Sequence, residues 1–86
     1  MKDLNIQLYG AARCHKTQYY LSFLRQRNLP FTFLDVEENA AHAVALRELY
    51  ANRRLNFPTM VVDGKKLRNP TKKDLKKWLP VDEEAV

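Results

Sequence analysis

The sequence predicts a small α/β domain of order β-α-β-α-β-β-α, a four-stranded mixed sheet with helices on both faces. Three observations lead to it. Leu4, Ile6 and Leu8 repeat with a period of two, whereas Thr17, Tyr20, Leu21 and Leu24 follow helical spacing from Cys14 onward. Strand-like and helix-like stretches go on alternating, as they do in folds built from βαβ units. Near the end, Asp63-Gly64 stands between two short strand-like runs, a strong signal for a hairpin turn.

The first strand takes in Leu4, Ile6 and Leu8, with Asn5, Gln7 and Tyr9 on the other face. A central strand covered on both faces would not alternate so cleanly, so Asn5 and Gln7 need partners or a less covered face. Gly10-Ala11-Ala12 breaks the pattern and supplies a tight connection. The first helix runs from Cys14 to about Arg27, and Asn28-Leu29-Pro30 closes it. Phe31 to Val36 is the second strand, rich in aromatic and β-branched residues, parallel to the first through a right-handed crossover. Asn39 caps the second helix, with Glu37 and Glu38 near its positive end. That helix carries Ala45, Leu46, Leu49 and Tyr50 and frays near Asn52-Arg53-Arg54. Thr59 to Val62 and Lys65 to Leu67 form an antiparallel hairpin. Asn69-Pro70 reads as an N-cap followed by proline at the first helical position. Leu75, Trp78 and Leu79 give the last helix its apolar stripe, and Pro80 stops it.

Eighty-six residues make one domain, expected over 1–80, with an acidic tail at 81–86 that contains Asp82-Glu83-Glu84. A chain of this size buries only about 60–65% of its unfolded surface, so every apolar face is needed. Met1-Lys2-Asp3-Leu4 contains no apolar leader, and no run approaches the roughly 20 apolar residues of a membrane span. One cysteine cannot staple a small fold, which points to a reducing compartment and a cytoplasmic location. The formal charge is +5, and residues 64–79 hold seven lysines and arginines against Asp74 alone. That stretch lacks interleaved aromatics for stacking on bases, so nucleic acid is disfavoured as a partner. It reads as a solvated face, or as an attractor of acidic molecules. A steep salt dependence of association would mark nucleic-acid binding instead.

Cys14 carries the chemistry. A thiol at a strand-to-helix junction faces unsatisfied N–H groups and the positive end of the helix dipole, which favour the thiolate. Arg13 and Lys16 flank it, and nearby cations lower a thiol's pKa further. Thr17, one turn along, is placed to donate a hydrogen bond toward the sulfur. His15 stands beside Cys14 as a candidate proton donor, while His42 reads as a surface helix residue. These residues lie too far apart in sequence to form a zinc motif. Tyr19, Tyr20 and Phe23 read as core and rim.

Four features together resemble a glutaredoxin of the thioredoxin superfamily. They are the element order, Leu8-Tyr9-Gly10 shortly before Cys14, Phe57-Pro58-Thr59-Met60, and Asp63-Gly64-Lys65. Leu67-Arg68-Asn69-Pro70-Thr71 ahead of a lysine-rich helix resembles the mycoredoxin-type glutaredoxin-like proteins. The resemblance covers roughly residues 4–79 and implies a thioredoxin-like fold. It implies that Cys14 is the attacking thiolate and that Phe57 offers its backbone N–H and C=O to an extended ligand. It also implies a cis Pro58 facing the thiol. A proline that opens a strand is ordinarily trans, since about 5–6% of X–Pro bonds are cis in folded proteins. Tyr9, Phe57, Pro58, Arg68, Asn69, Thr71 and Lys72 would bind a small thiol, with the start of the last helix near its carboxylate. Arg53 and Arg54 are further candidates for that carboxylate. No tightly bound cofactor and no metal are implied. The co-substrate would be glutathione or another low-molecular-weight thiol, and the partners protein disulfides.

The departures shape the mechanism. Cys14-His15-Lys16-Thr17 places threonine where dithiol members carry a second cysteine, so exchange would proceed through one sulfur. The Cys-Gly-Phe-Ser pattern of cluster-carrying monothiol glutaredoxins is absent, and so is the Gly-Gly pair before the last helix. Two rivals follow: a binding or adaptor module that kept the scaffold without redox work, and an arsenate-reductase-like monothiol protein. The latter usually needs more chain and an oxyanion site.

Overall fold

A computed structural model describes residues 4–80 of the chain. The acidic tail at 81–86 and residues 1–3 lie outside the described residues. The element order is the expected one: β1 (Ile6–Gly10), α1 (His15–Gln26), β2 (Thr32–Asp35), α2 (Ala40–Glu48), β3 (Thr59–Val62), β4 (Lys65–Arg68) and α3 (Lys72–Trp78). The sheet order is β2-β1-β3-β4. β1 pairs parallel with β2 and antiparallel with β3, which pairs antiparallel with β4.

β1, β2 and β3 send alternate side chains to two cores, and β4 adds Leu67 to one of them. Ile6 and Leu8 from β1 and Met60 and Val62 from β3 pack with Leu21 and Leu24 of α1 and Leu75 of α3. On the other face, Tyr9 and Val61 pack with Ala43 and Leu46 of α2. Leu8, Leu24, Leu46, Met60 and Leu75 are fully buried, each contributing about 1.5–3 kcal/mol of transfer free energy. The clean alternation of β1 now has its explanation. Tyr9 is covered on the α2 side, but Gln7 is half-buried and Asn5 is exposed, so α2 reaches only the carboxyl end of that strand. The Asn5 backbone is paired instead with Asp63, by N–H to Oδ1 at 2.9 Å and by C=O from the Asp63 N–H at 2.8 Å.

Local signals account for most of the ends. Asn28 has φ 54°, and the Leu29 N–H reaches back to the Leu24 carbonyl at 3.0 Å, a left-handed closure of α1. Asn39 caps α2, its Oδ1 accepting from the Ala41 N–H at 2.9 Å. Asp63 and Gly64 both have positive φ, as a two-residue hairpin turn requires.

The last helix corrects the sequence reading at Asn69-Pro70. Asn69 has φ 48°, which is not the extended backbone of an N-cap, and Thr71 takes that role. Thr71 Oγ1 accepts from the Asp74 N–H at 3.2 Å, and the Asp74 carboxylate accepts from the Thr71 N–H at 3.0 Å. Reciprocal capping requires an acceptor three residues on, and from Asn69 that position is Lys72. Among the described residues, no helix is long and apolar enough to cross a membrane.

Candidate active site

The site is built at the carboxyl end of β1. Tyr9 pairs with Thr59, which brings Pro58 beside Gly10 where the connection to α1 begins. Cys14 is the N-cap of α1, with extended backbone (φ −83°, ψ 124°), and its carbonyl accepts the first helical bond from the Gln18 N–H at 3.0 Å. The turn before it is closely held. The Cys14 N–H donates to the Ala11 carbonyl at 2.9 Å, and Gln18 Nε2 donates to the Ala12 carbonyl at 2.6 Å.

Thr17 is the organising side chain. It is fully buried, and its Oγ1 accepts from the N–H of buried Ala11 at 3.2 Å. An oxygen that accepts in this way keeps its own proton free to donate toward Cys14. Gly10 makes room for it. A Cβ at position 10 would lie 2.7 Å from Thr17 Cγ2 and closer still to Oγ1. The requirement for glycine here is close approach, not backbone conformation.

These contacts hold the Cys14 thiol below its ordinary range. The Thr17 backbone N–H is the largest cause, and partial burial works against it. The Thr17 hydroxyl and the Lys16 N–H add to the lowering, and the Arg13 charge adds least. The sulfur closes no capping hydrogen bond of regular geometry, so the attraction is that of nearby dipoles. Lys16 acts here through its amide. Arg13 is already engaged, its guanidinium forked onto the Glu37 carboxylate at 2.6–3.0 Å. Asp35 braces the same turn from β2, accepting from the N–H groups of Glu37, Glu38 and Ala12 at 2.8–3.3 Å. Burial raises its pKa, but those three bonds outweigh it and the carboxyl is held below its usual range.

The facing loop is held from both cores. The Phe57–Pro58 bond is cis, as the resemblance implied. The Pro58 carbonyl accepts from the Asn69 N–H at 2.9 Å. Tyr20 of α1 donates its hydroxyl to the Pro70 carbonyl at 2.5 Å, with Asn69 Oδ1 at 3.3 Å. Burial pushes the Tyr20 phenol up to about 12. On the α2 side, Thr59 Oγ1 donates to the Asn56 carbonyl at 2.5 Å, and the Tyr50 hydroxyl stands 2.7 Å from that oxygen. Between these anchors, the Phe57 N–H and C=O have no hydrogen-bond partner among the described residues. The Phe57 ring is half-buried against the α2 core and holds that backbone in place.

The other sequence candidates divide. Tyr9 is only 7% exposed and belongs to the α2 core, leaving little surface for a ligand. Thr71 spends its hydroxyl on capping, and Asn69 braces the Pro58 loop. The Asp74 carboxylate occupies the start of α3, and the Thr71 N–H holds it below its ordinary pKa. Arg68, opposite Thr59 in register, and Lys72 are exposed at the same end of the sheet. Four residues important to this geometry were not found as such in the sequence: Gly10, Asp35, Tyr50 and Thr59. Gly10 was visible as a break, but its contact with Thr17 was not. An open recess lined by Leu4, Asn5, Ile6, Pro30, Phe31 and Thr32 lies at the opposite end of the sheet and takes no part in the site. Among the described residues, no three His, Cys, Asp or Glu side chains gather as a metal site.

No family model matches the chain, and no curated protein matches it in sequence. Solved structures do. The thioredoxin-like protein BC3987 aligns at a TM-score of 0.69 and 27% identity, over 86% of this chain and 99% of that one. A glutaredoxin from Archaeoglobus fulgidus aligns at 0.72 and 15% identity, over 88% of this chain and 86% of that one. The second likeness is one of fold alone.

Proposed function

We propose that this thioredoxin-fold, glutaredoxin-like protein is a thiol–disulfide oxidoreductase that works through the single thiol of Cys14. The observation that carries the reading is a cysteine cap whose thiolate is favoured by Thr17, beside a loop with an unengaged Phe57 backbone. The Cys14 thiolate attacks the small-thiol sulfur of a protein mixed disulfide. The new bond joins Cys14 to the small thiol, and the target protein leaves as a thiolate. A second small-thiol thiolate then attacks that disulfide, forming the small-molecule disulfide and restoring Cys14. One disulfide is consumed and one formed, the second small thiol supplying the electron pair that reduces the target. The rate follows the thiolate fraction, tempered by the lower nucleophilicity of a less basic sulfur.

The small thiol is glutathione or a relative of low molecular weight. Arg68 and Lys72 are the side chains offered to its carboxylates, because the capping box already occupies the start of α3. A reducing setting such as the cytoplasm suits this chemistry.

The test combines two measurements. Alkylation of Cys14 by iodoacetamide is expected to show a midpoint below the free-thiol value of about 8.5. Reduction of a peptide–glutathione mixed disulfide is expected to be catalysed by the wild type and abolished in Cys14→Ser. A midpoint at or above the ordinary value, with no catalysis, would favour a binding module that kept the scaffold.

A further inference from the structure

The loop opposite Cys14 has an unequal distribution of hydrogen bonds. The Asn56 carbonyl is taken by Thr59 Oγ1 and the Pro58 carbonyl by the Asn69 N–H, while Phe57 between them is left open. The Thr59 hydroxyl carries one proton, and the Asn56 carbonyl can only accept, so that proton is committed. Tyr50 must therefore donate to Thr59 Oγ1 across the 2.7 Å contact. The result is a directed chain, Tyr50 to Thr59 to Asn56, running from the end of α2 into the loop. Thr59 is fully buried, so water does not compete for the middle link. The Arg53 N–H also returns to the Tyr50 carbonyl at 3.1 Å, which fixes the loop's entry at the same residue. The Tyr50 ring is held by a second element, with the Lys66 ammonium of β4 4.3 Å from its centroid and 2.8 Å from the Leu49 carbonyl.

We propose that Tyr50, acting through Thr59, is a positioning residue that holds the Phe57 backbone ready to pair with an extended peptide segment bearing the disulfide. This rests on the exchange reading above, with the extended ligand that the resemblance implies at Phe57, and adds the residues that hold that backbone open for it. The segment enters as a strand, with its own N–H and C=O matched to Phe57, and the lock prevents the loop from satisfying Phe57 internally. Tyr50 touches neither the sulfur nor the substrate.

Tyr50→Phe keeps the ring and removes only the donor. Loss of that bond is expected to speed amide hydrogen exchange at Asn56, whose N–H is bonded to the Arg54 carbonyl at 3.0 Å, by about five- to tenfold, the worth of one ordinary hydrogen bond. It is also expected to raise KM several-fold for a peptide–glutathione mixed disulfide, with kcat and the Cys14 alkylation midpoint unchanged. Thr59→Val, which breaks both links, is expected to exceed that effect, and Thr59→Ser to restore most of it. Wild-type exchange rates and KM in Tyr50→Phe would overturn the proposal. So would a moved alkylation midpoint with KM unchanged, because the hydroxyl would then be acting on Cys14. If the wild type catalyses no disulfide exchange, the oxidoreductase reading fails, and amide exchange in Tyr50→Phe alone decides whether the lock exists.

Discussion

The Cys14 turn and the Phe57-Pro58 loop meet at one end of the sheet but are held in different ways. The turn is organised mostly within residues 10–18, with Asp35 bracing it from β2: Gly10 clears space, Thr17 fills it, and Ala11 and Ala12 supply backbone partners. The loop is organised from a distance. Its anchors are Tyr50 just past α2, Asn69 beyond β4, and Tyr20 of α1, which reaches Pro70 fifty residues away. The turn can thus tune its thiol by local contacts, whereas the loop keeps its shape only when both cores have formed.

Gly10→Ala strikes the turn hardest. Its Cβ would intrude on a stiff, buried threonine, so overpacking is expected to cost about 1–3 kcal/mol. For a domain of this size the melting temperature would fall by about 4–8 °C for each kcal/mol. The alkylation midpoint should rise with it as Thr17 is displaced. A variant as stable as the wild type would show that the turn yields more easily than its packing indicates.

Thr17→Val comes next and keeps the shape while removing the hydroxyl. The buried Ala11 N–H then loses its acceptor, at about 1–3 kcal/mol. The Cys14 midpoint is expected to rise yet stay below the ordinary value, because the Thr17 amide, the larger influence, remains. A full return to the ordinary value would assign the thiolate's stability to the hydroxyl.

Tyr20→Phe tests the loop from the opposite core. Losing the bond to Pro70 is expected to cost about 0.5–1.5 kcal/mol, read by urea unfolding, and to leave the Cys14 midpoint in place. The phenol supplies a second check. Its pKa is about 12 in the folded protein, above the ordinary value of about 10. Its stabilising contribution is complete below the ordinary value and is lost as pH rises through about 12. That alkaline loss should be absent from Tyr20→Phe.

Arg13→Gln is the smallest. Arg13 is 77% exposed and its pairing with Glu37 is screened by solvent, so stability should barely change. The alkylation midpoint should move slightly upward, and added salt should erase the difference between variant and wild type. A shift as large as that of Thr17→Val would restore the cationic flank as the main activator.

The turn was legible for the same reason that it is robust. Cys14, Thr17 and the Gly10 break lie close enough in sequence for helix-end chemistry to connect them, and Asn28, Asn39 and Asp63-Gly64 bound their elements as local rules require. Where local rules competed, the reading failed. Asn69-Pro70 looked like a cap, but Thr71 and Asp74 satisfy each other and win. Elsewhere the structure adds partners: the Arg13 charge favours the thiolate while Glu37 holds its guanidinium, and Lys16 contributes its amide. Tyr9 ends its strand beside Thr59, and pleat parity places its ring in the α2 core.

By itself the sequence determined the order of elements, the hairpin and the thiol at a helix start, because each rests on periodicity or on residues a few positions apart. Only the tertiary structure decided how Pro58 is presented, since Tyr50, Thr59, Asn69 and Tyr20 belong to elements brought together by the two cores. Hydrogen-bond partners across a sheet depend on register and on which face each side chain takes, and neither is encoded in any short stretch of chain.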